Sequence, residues 1–158
     1  MPVGRVTFRH IEPMGFSEFL VATYRADFAK YGSRSQREVL ADQLVAQQLR
    51  LAVGPSPVGL EVFYWQRHGG RAGEIDFLVQ VGGRILPVEV KAGAAGAMKS
   101  LHQFMRDKGL DLALRCDTNP PSTQALSLST TTGQAVSYRL LNLPHYLVWN
   151  LTALVGAL

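Results

Sequence analysis

EIDFLVQVGGRILPVEVK, residues 74–91, is the stretch whose reading decides the fold of this chain. Glu74 to Val81 is rich in β-branched and aromatic residues, Arg84 to Lys91 is similar, and Gly82-Gly83 between them is a strong hairpin signal. Side chains on a strand alternate between faces. Ile75, Phe77 and Val79 are therefore expected on one face, with Glu74 and Asp76 on the other. On the second strand Leu86, Val88 and Val90 go to one side, and Pro87, Glu89 and Lys91 to the opposite one. The hairpin would have an apolar face for a core and a face bearing three carboxylates and one ammonium. Carboxylates that close together repel one another unless a cation sits among them.

That pattern suggests a chemistry. Hard cations such as Mg²⁺ take oxygen ligands and keep several waters. Asp76 and Glu89 are the candidate ligands, with the backbone carbonyl of Val90. Lys91 lies two residues beyond Glu89 on the same face. It is placed either to orient or help deprotonate an attacking water, or to neutralise charge building on a phosphate. The alternative is an exposed polar face with a surface Glu/Lys pair.

Asp76, twelve residues, then Glu89-Val90-Lys91 resembles the PD-(D/E)XK nuclease signature. Ile75 stands where that signature usually has proline. The segment from Phe63 through Met105, with FYW…EIDFLVQ…GGRILPVEVKAG…SLHQF, carries the densest resemblance. It is similar to the C-terminal PD-(D/E)XK nuclease-like domain, of unknown function, of a family of bacterial and archaeal AAA-type ATPases. Residues 11–24, IEPMGFSEFLVATY, resemble the stretch that follows the nucleotide-binding motifs in that family. LADQLVAQQL, residues 40–49, sets Asp42 against a position usually held by Glu. The resemblance implies catalytic roles for Asp76, Glu89 and Lys91, and support from Asp42, Glu74 and Gln103. It also implies Mg²⁺ or Mn²⁺ as cofactor, nucleic acid as partner and a restriction-endonuclease-like core. Asp42 is otherwise a solvated helix residue, and its shorter side chain would fall short of a metal that Glu would reach.

Composition bounds the alternatives. The 158 residues suffice for one domain with a core, and 47% hydrophobic with 18% charged residues describes a globular protein. The net charge of +4 suits a phosphate-bearing partner, although twelve of the sixteen basic residues are Arg, which codon bias alone would also give. One cysteine, Cys116, excludes an internal disulfide framework and a cysteine-rich zinc site, and fits a reducing cytosol. No signal peptide is visible, and the terminal apolar run from Leu151 is too short to span a bilayer, so a cytoplasmic chain without membrane contact is expected. There is no GxxxxGK[ST] loop, hence no ATP site in this chain; an ATPase would have to come from another chain.

Along the chain, Val6, Phe8 and Ile11 suggest a short strand, and Ser17 is a candidate helix N-cap. Arg25 to Ser35 reads as linker. Residues 1–35 are expected to be a leader or remnant of the ATPase-family chain, and 36–158 the nuclease-like domain. A helix is expected over Gln36–Leu51, with Val39, Leu40, Leu44, Val45, Leu49 and Leu51 as its apolar stripe and Asp42 between them. Gly54 to Pro57 is a loop. Leu60–Gln66 is a strand that pairs with the one beginning near Glu74, across a turn from Arg67 to Gly73 whose arginines either touch a phosphate backbone or are merely solvated. Tyr64 and Trp65 are base-stacking candidates or core. His68 has no partner at zinc-ligand spacing.

Ala92–Gly96 reads as a flexible loop that lets a substrate approach, followed by a helix over Lys99–Asp107 carrying Gln103. Leu110–Leu114 is a strand, Asn119–Gly133 a loop, Val136–Leu141 a strand, and an apolar helix runs towards Leu158. The fold class is α/β: a helix, a three-strand antiparallel meander, a crossover helix, one or two further strands and a C-terminal helix. Two functions fit. One is metal-dependent hydrolysis of phosphodiester bonds. The other is a non-catalytic module, binding DNA or protein for a partner ATPase, or a decayed relic of one.

Overall fold

The computed structural model describes residues 5–8, 34–53, 62–67 and 73–158. The Ser17 cap, most of the Arg25–Ser35 linker, the Gly54–Pro57 loop, the first residues of the expected Leu60 strand and the His68–Ala72 part of the turn lie outside the described residues.

The described elements are β1 (Arg5–Phe8), α1 (Arg34–Val53), β2 (Phe63–Gln66), β3 (Glu74–Val81), β4 (Arg84–Val90), α2 (Lys99–Lys108), β5 (Leu112–Asp117), β6 (Ser122–Ser129) and β7 (Ala135–Pro144). A 3-10 segment, His145–Asn150, leads into α3, Leu151–Gly156. The strands form one mixed sheet in the order β1-β2-β3-β4-β5-β7-β6. β2 to β4 form an antiparallel meander with β1 antiparallel beside β2; β4, β5 and β7 are parallel neighbours; β6 returns antiparallel on the edge.

The hairpin forms as its sequence dictates. Gly82 (φ 57°) and Gly83 (φ 78°) occupy the left-handed region that a two-residue turn between twisted strands demands. Val81 pairs with Arg84 and Phe77 with Val88. α2 then carries the chain from β4 to the adjacent parallel β5, and Gly109 at φ 64° ends that helix.

Two apolar layers flank the sheet. On one side α1 lays Ala41, Val45, Ala46, Leu49 and Ala52 on Phe77, Val79, Val88, Val90, Leu114 and Leu141, with Val148, Leu151 and Val155 closing the layer. On the other side Leu101, Phe104 and Met105 of α2 meet Trp65, Ile75, Ala113, Tyr138 and Leu140. Each fully buried Leu, Ile or Val here contributes roughly 1.5–3 kcal/mol of transfer free energy.

The structure corrects the expected faces of β3. Phe63 pairs with Leu78 but Trp65 with Ile75, so two residues of β2 answer three of β3. The extra residue is a bulge, and it reverses the alternation. Ile75 joins Trp65 in the α2 layer, whereas Phe77 and Val79 join the α1 layer. Other corrections follow from local physics. Val39 and Leu51 are exposed, because the stripe of α1 centres on Ala41, Val45 and Leu49. The expected loop Asn119–Gly133 contains β6, whose Leu126 and Leu128 alternate with serines and which takes its hydrogen bonds from β7. The expected terminal helix is a 3-10 segment followed by a six-residue helix. No described helix is long and apolar enough to cross a membrane.

Candidate functional site

Parallel strands β4, β5 and β7 end at Val90, Asp117 and Pro144, at the same end of the sheet. The crevice outside the carboxyl ends of such strands is where open α/β sheets bind ligands. Asp76 stands beside the β3 bulge at that end of the sheet. It lies beyond the last β3–β4 pair, Phe77–Val88, and its Oδ2 accepts the Val90 amide N–H at 2.6 Å. In an extended strand the N–H and C=O of one residue point to the same neighbour. The Val90 carbonyl therefore faces the Asp76 side as well.

Glu89 lies between Val88 and Val90 on β4 and so points to the opposite face, under α2. It is buried, and Lys91 Nζ donates to its Oε1 at 2.5 Å. Burial first, and the charge of Asp76 second, push the Glu89 carboxyl up to about 7; Glu74 adds to this and Lys91 opposes it. Glu89 is thus an acid poised near neutrality, a property typical of sites that do chemistry. Asp76 and Glu89 are close enough to disfavour each other's charge, and that is the electrostatic condition a cation relieves.

Around this pair lies a shell of groups. The Tyr138 hydroxyl is raised well above the usual phenol range by burial and by the Glu89 charge, so it remains a neutral donor. It is 2.7 Å from His102 Nδ1, and burial lowers the pKa of that imidazole. His145 Nε2–H donates to the Lys91 carbonyl at 2.9 Å. Burial lowers His145 as well, outweighing the Lys91 hydrogen bond and the Asp117 charge.

Asp117, with 0% exposure, is held by four donors: Arg115 Nε at 2.7 Å, the Asn119 amide at 2.7 Å, Asn119 Nδ2 at 2.8 Å and Asn142 Nδ2 at 3.1 Å. Burial alone would raise its pKa; the Asn119, Asn142 and Arg115 contacts outweigh that and hold it below the ordinary carboxylate value. Arg115 Nη2 and Asn119 Nδ2 both donate to the Ala94 carbonyl, at 3.0 and 2.9 Å. The loop expected to be flexible is therefore pinned at Ala94. At Gly96 a Cβ would come within 2.5 Å of Lys91 Cδ, so the loop passes directly over the lysine stem and a side chain there would displace it.

The sequence candidates divide accordingly. Asp76, Glu89, Lys91 and Val90 come together, and exposed Glu74 contributes its charge from the start of β3. Asp42 is half-buried on α1, in the layer across the sheet from the side Glu89 faces. Gln103 is buried on α2 but engaged elsewhere: its Nε2 donates to Asp107 Oδ1 at 2.8 Å and its Oε1 accepts from Thr132 Oγ1 at 2.9 Å. Trp65 is core, edge-on to Phe104 with ring centroids 5.0 Å apart. Arg67 pairs with Asp107 at 2.6 Å. His102, Tyr138, His145 and Asp117 escaped the sequence reading. Only Asp117-Thr-Asn119 left a signal, an Asp two residues before an Asn just past a strand, the pattern of an Asx turn.

The fold and site define an α/β domain with an acid–lysine cluster at the ends of its parallel strands. Residues 37–138 match the family described as Domain of unknown function (DUF4143), and the chain belongs to that family. The match runs from α1 to Tyr138 and so includes Asp76, Glu89 and Lys91. No curated protein and no solved structure matches the chain.

Proposed function

We propose that the protein is a divalent-metal-dependent nuclease of the PD-(D/E)XK type, with a restriction-endonuclease-like core, that hydrolyses phosphodiester bonds of nucleic acid. The observation that carries this reading is Glu89. A buried carboxyl pushed up to about 7 by burial and by a second carboxylate, with an ammonium 2.5 Å away, is costly to the fold and useful to chemistry. The donor set fits a hard cation: two carboxylates and a backbone carbonyl supply oxygen, and Mg²⁺ or Mn²⁺ sites commonly use only one or two carboxylates and complete the rest with water. Asp76, Glu89 and Val90 would hold the ion. When bound, it supplies positive charge to the paired carboxylates and to a phosphate.

The chain's own groups supply the remainder. In hydrolysis a water oxygen attacks phosphorus, the ester P–O bond breaks, and the departing oxygen takes a proton. Lys91, fixed by Glu89 and by the pinned loop, is positioned to donate to a phosphate oxygen and stabilise its developing charge. Tyr138, kept neutral, and His102 bound to it set the environment of Glu89 from the α2 side. Asp42 is not needed for this arrangement.

Labelled single- and double-stranded DNA and RNA, incubated with Mg²⁺ or Mn²⁺, provide the test. The proposal expects cleavage that chelation abolishes and that Lys91→Ala reduces by about 100-fold or more. Cleavage that survives Lys91→Ala counts against it. One observation favours a second reading, a non-catalytic binding module for an ATPase supplied by another chain. The Lys91 ammonium is already committed to Glu89, and its stem is covered by Gly96. Nucleic-acid binding without metal-dependent cleavage would select that reading.

A further inference from the structure

Strand β6 is one edge of the sheet, and no strand among the described residues lies beyond it. An exposed edge is a template for further pairing, and proteins blunt such edges with short strands, bulges, prolines or charges. β1, at the opposite edge, is four residues long and begins on Arg5. β6 has none of these protections. It is eight residues long, STQALSLS, with no proline and no charged side chain, and it pairs with β7 from end to end in a single register.

The phase of the ladder fixes what that edge offers. Thr130 N–H donates to the Gln134 carbonyl at 2.8 Å, which makes these two a hydrogen-bonded pair. Bonded and non-bonded pairs alternate along an antiparallel ladder. Gln124, Leu126 and Leu128 therefore direct their N–H and C=O to β7, whereas Thr123, Ala125, Ser127 and Ser129 turn theirs outward. The 3.0 Å approach of the Ser127 and Ser137 hydroxyls agrees, since side chains come closest in non-bonded pairs. Leu126 and Leu128 lie on the α2 face but are only half-buried, because α2 packs chiefly on β3 and β7.

We propose that β6 pairs with β6 of a second copy of this chain, antiparallel about a two-fold axis through Ser127. Several two-fold registers set outward groups opposite outward groups. Only the one centred on Ser127 also sets each leucine against a leucine, Leu126 of one copy facing Leu128 of the other. These are non-bonded pairs, where side chains pack closest, so the half-covered leucines of both copies close into one apolar patch. Ser127 bonds its own counterpart, and Ala125 bonds the second copy's Ser129. An uncharged strand set against itself brings no like charges together. A single strand pair is smaller than the ~800 Å² per partner of a standard interface, so the dimer is a weak one, with Kd on the order of 10–100 µM. The inference does not depend on metal chemistry at Glu89.

Sedimentation equilibrium of the full chain over about 5–500 µM brackets that range and should show a reversible monomer–dimer equilibrium. Proline is tolerated on an edge strand where its nitrogen faces outward, so Ser127→Pro should keep β6 on β7 while raising the dimer Kd at least about tenfold. Ser127→Lys, at an exposed position, should give the same loss by setting two ammonium groups face to face, without altering the backbone. Cysteine trapping reads the register. The Cα atoms of a hydrogen-bonded pair lie about 5.5 Å apart, within disulfide reach, so Ser127→Cys should be trapped as a covalent dimer under mild oxidation. Ala125→Cys, which faces the second copy's Ser129 and not its own counterpart, should not be trapped, and Cys116 is buried away from the reaction. A chain that stays monomeric throughout overturns the proposal and leaves the edge to a strand of another protein. Association unchanged in Ser127→Pro and Ser127→Lys, or equal trapping of the two cysteine variants, overturns it as well.

Discussion

The two faces of the sheet are built to opposite rules. Under α1 and the C-terminal helix the buried side chains form one apolar layer, from Ala41 to Val155. Under α2 the same sheet buries Trp65 and Ile75 against Leu101, yet among the described residues the buried polar ones, Glu89, Gln103, Asp117, Thr130 and Asn142, belong to this side. Burying a polar group is unfavourable unless it is hydrogen-bonded, and a charge more so. That cost is concentrated on the α2 face, although Gln47 Nε2 on α1 is also buried without a partner among the described residues. The polar groups also sort among themselves. Asp117 is saturated with donors and acts as a structural clamp, whereas Glu89 is left strained towards protonation.

The contrast can be broken at several points. The largest effect is expected in the apolar layer: Leu49→Ala, at a position with 0% exposure, should cost about 3–4 kcal/mol in chemical denaturation and leave Mn²⁺ affinity unchanged. A metal affinity that falls with it would mean the faces are not separable. Next comes the pH dependence set by Glu89. The folded protein keeps its proton to about 7, while the unfolded chain releases it near 4.5. The folded state therefore binds more protons between those values. Stability is full below the lower value and falls, by about 3 kcal/mol, as pH rises through the window. Glu89→Gln should flatten that decline, and parallel pH profiles for wild type and variant would refute it. The smallest effect belongs to the clamp: Asp117→Asn should cost about 2 kcal/mol by weakening the hold on Arg115, and should loosen the Ala94 loop, read as faster amide exchange at residues 92–97.

Much of this was legible in the chain and some of it was not, for identifiable reasons. The Gly82-Gly83 hairpin, the pairing of β2 with β3 and the helical segment around Val45 and Leu49 follow from local signals that tertiary context did not override. Strict alternation missed Ile75, which a one-residue bulge turns to the α2 layer; Asp76 beside it accepts the Val90 amide. No period-two pattern encodes an extra residue. β6 was hidden because its Ser and Thr residues read as loop composition, and an exposed edge strand needs little apolar content once β7 supplies its hydrogen bonds. Gln103 lay on the expected helix and was buried as a site residue should be, but its partners are Thr132 and Asp107, brought to it by chain folding far from the motif. His145 reaches Lys91 across 54 residues, and the sequence carries no trace of that contact.

Calorimetric titration of Mn²⁺ at pH 8, where Glu89 is ionised, tests the central claim most directly. The account predicts one site with Kd of about 1 mM or tighter in the wild type, weakened at least about tenfold in Asp76→Ala and in Glu89→Gln. No binding heat at millimolar metal, or equal affinity in all three proteins, would contradict it.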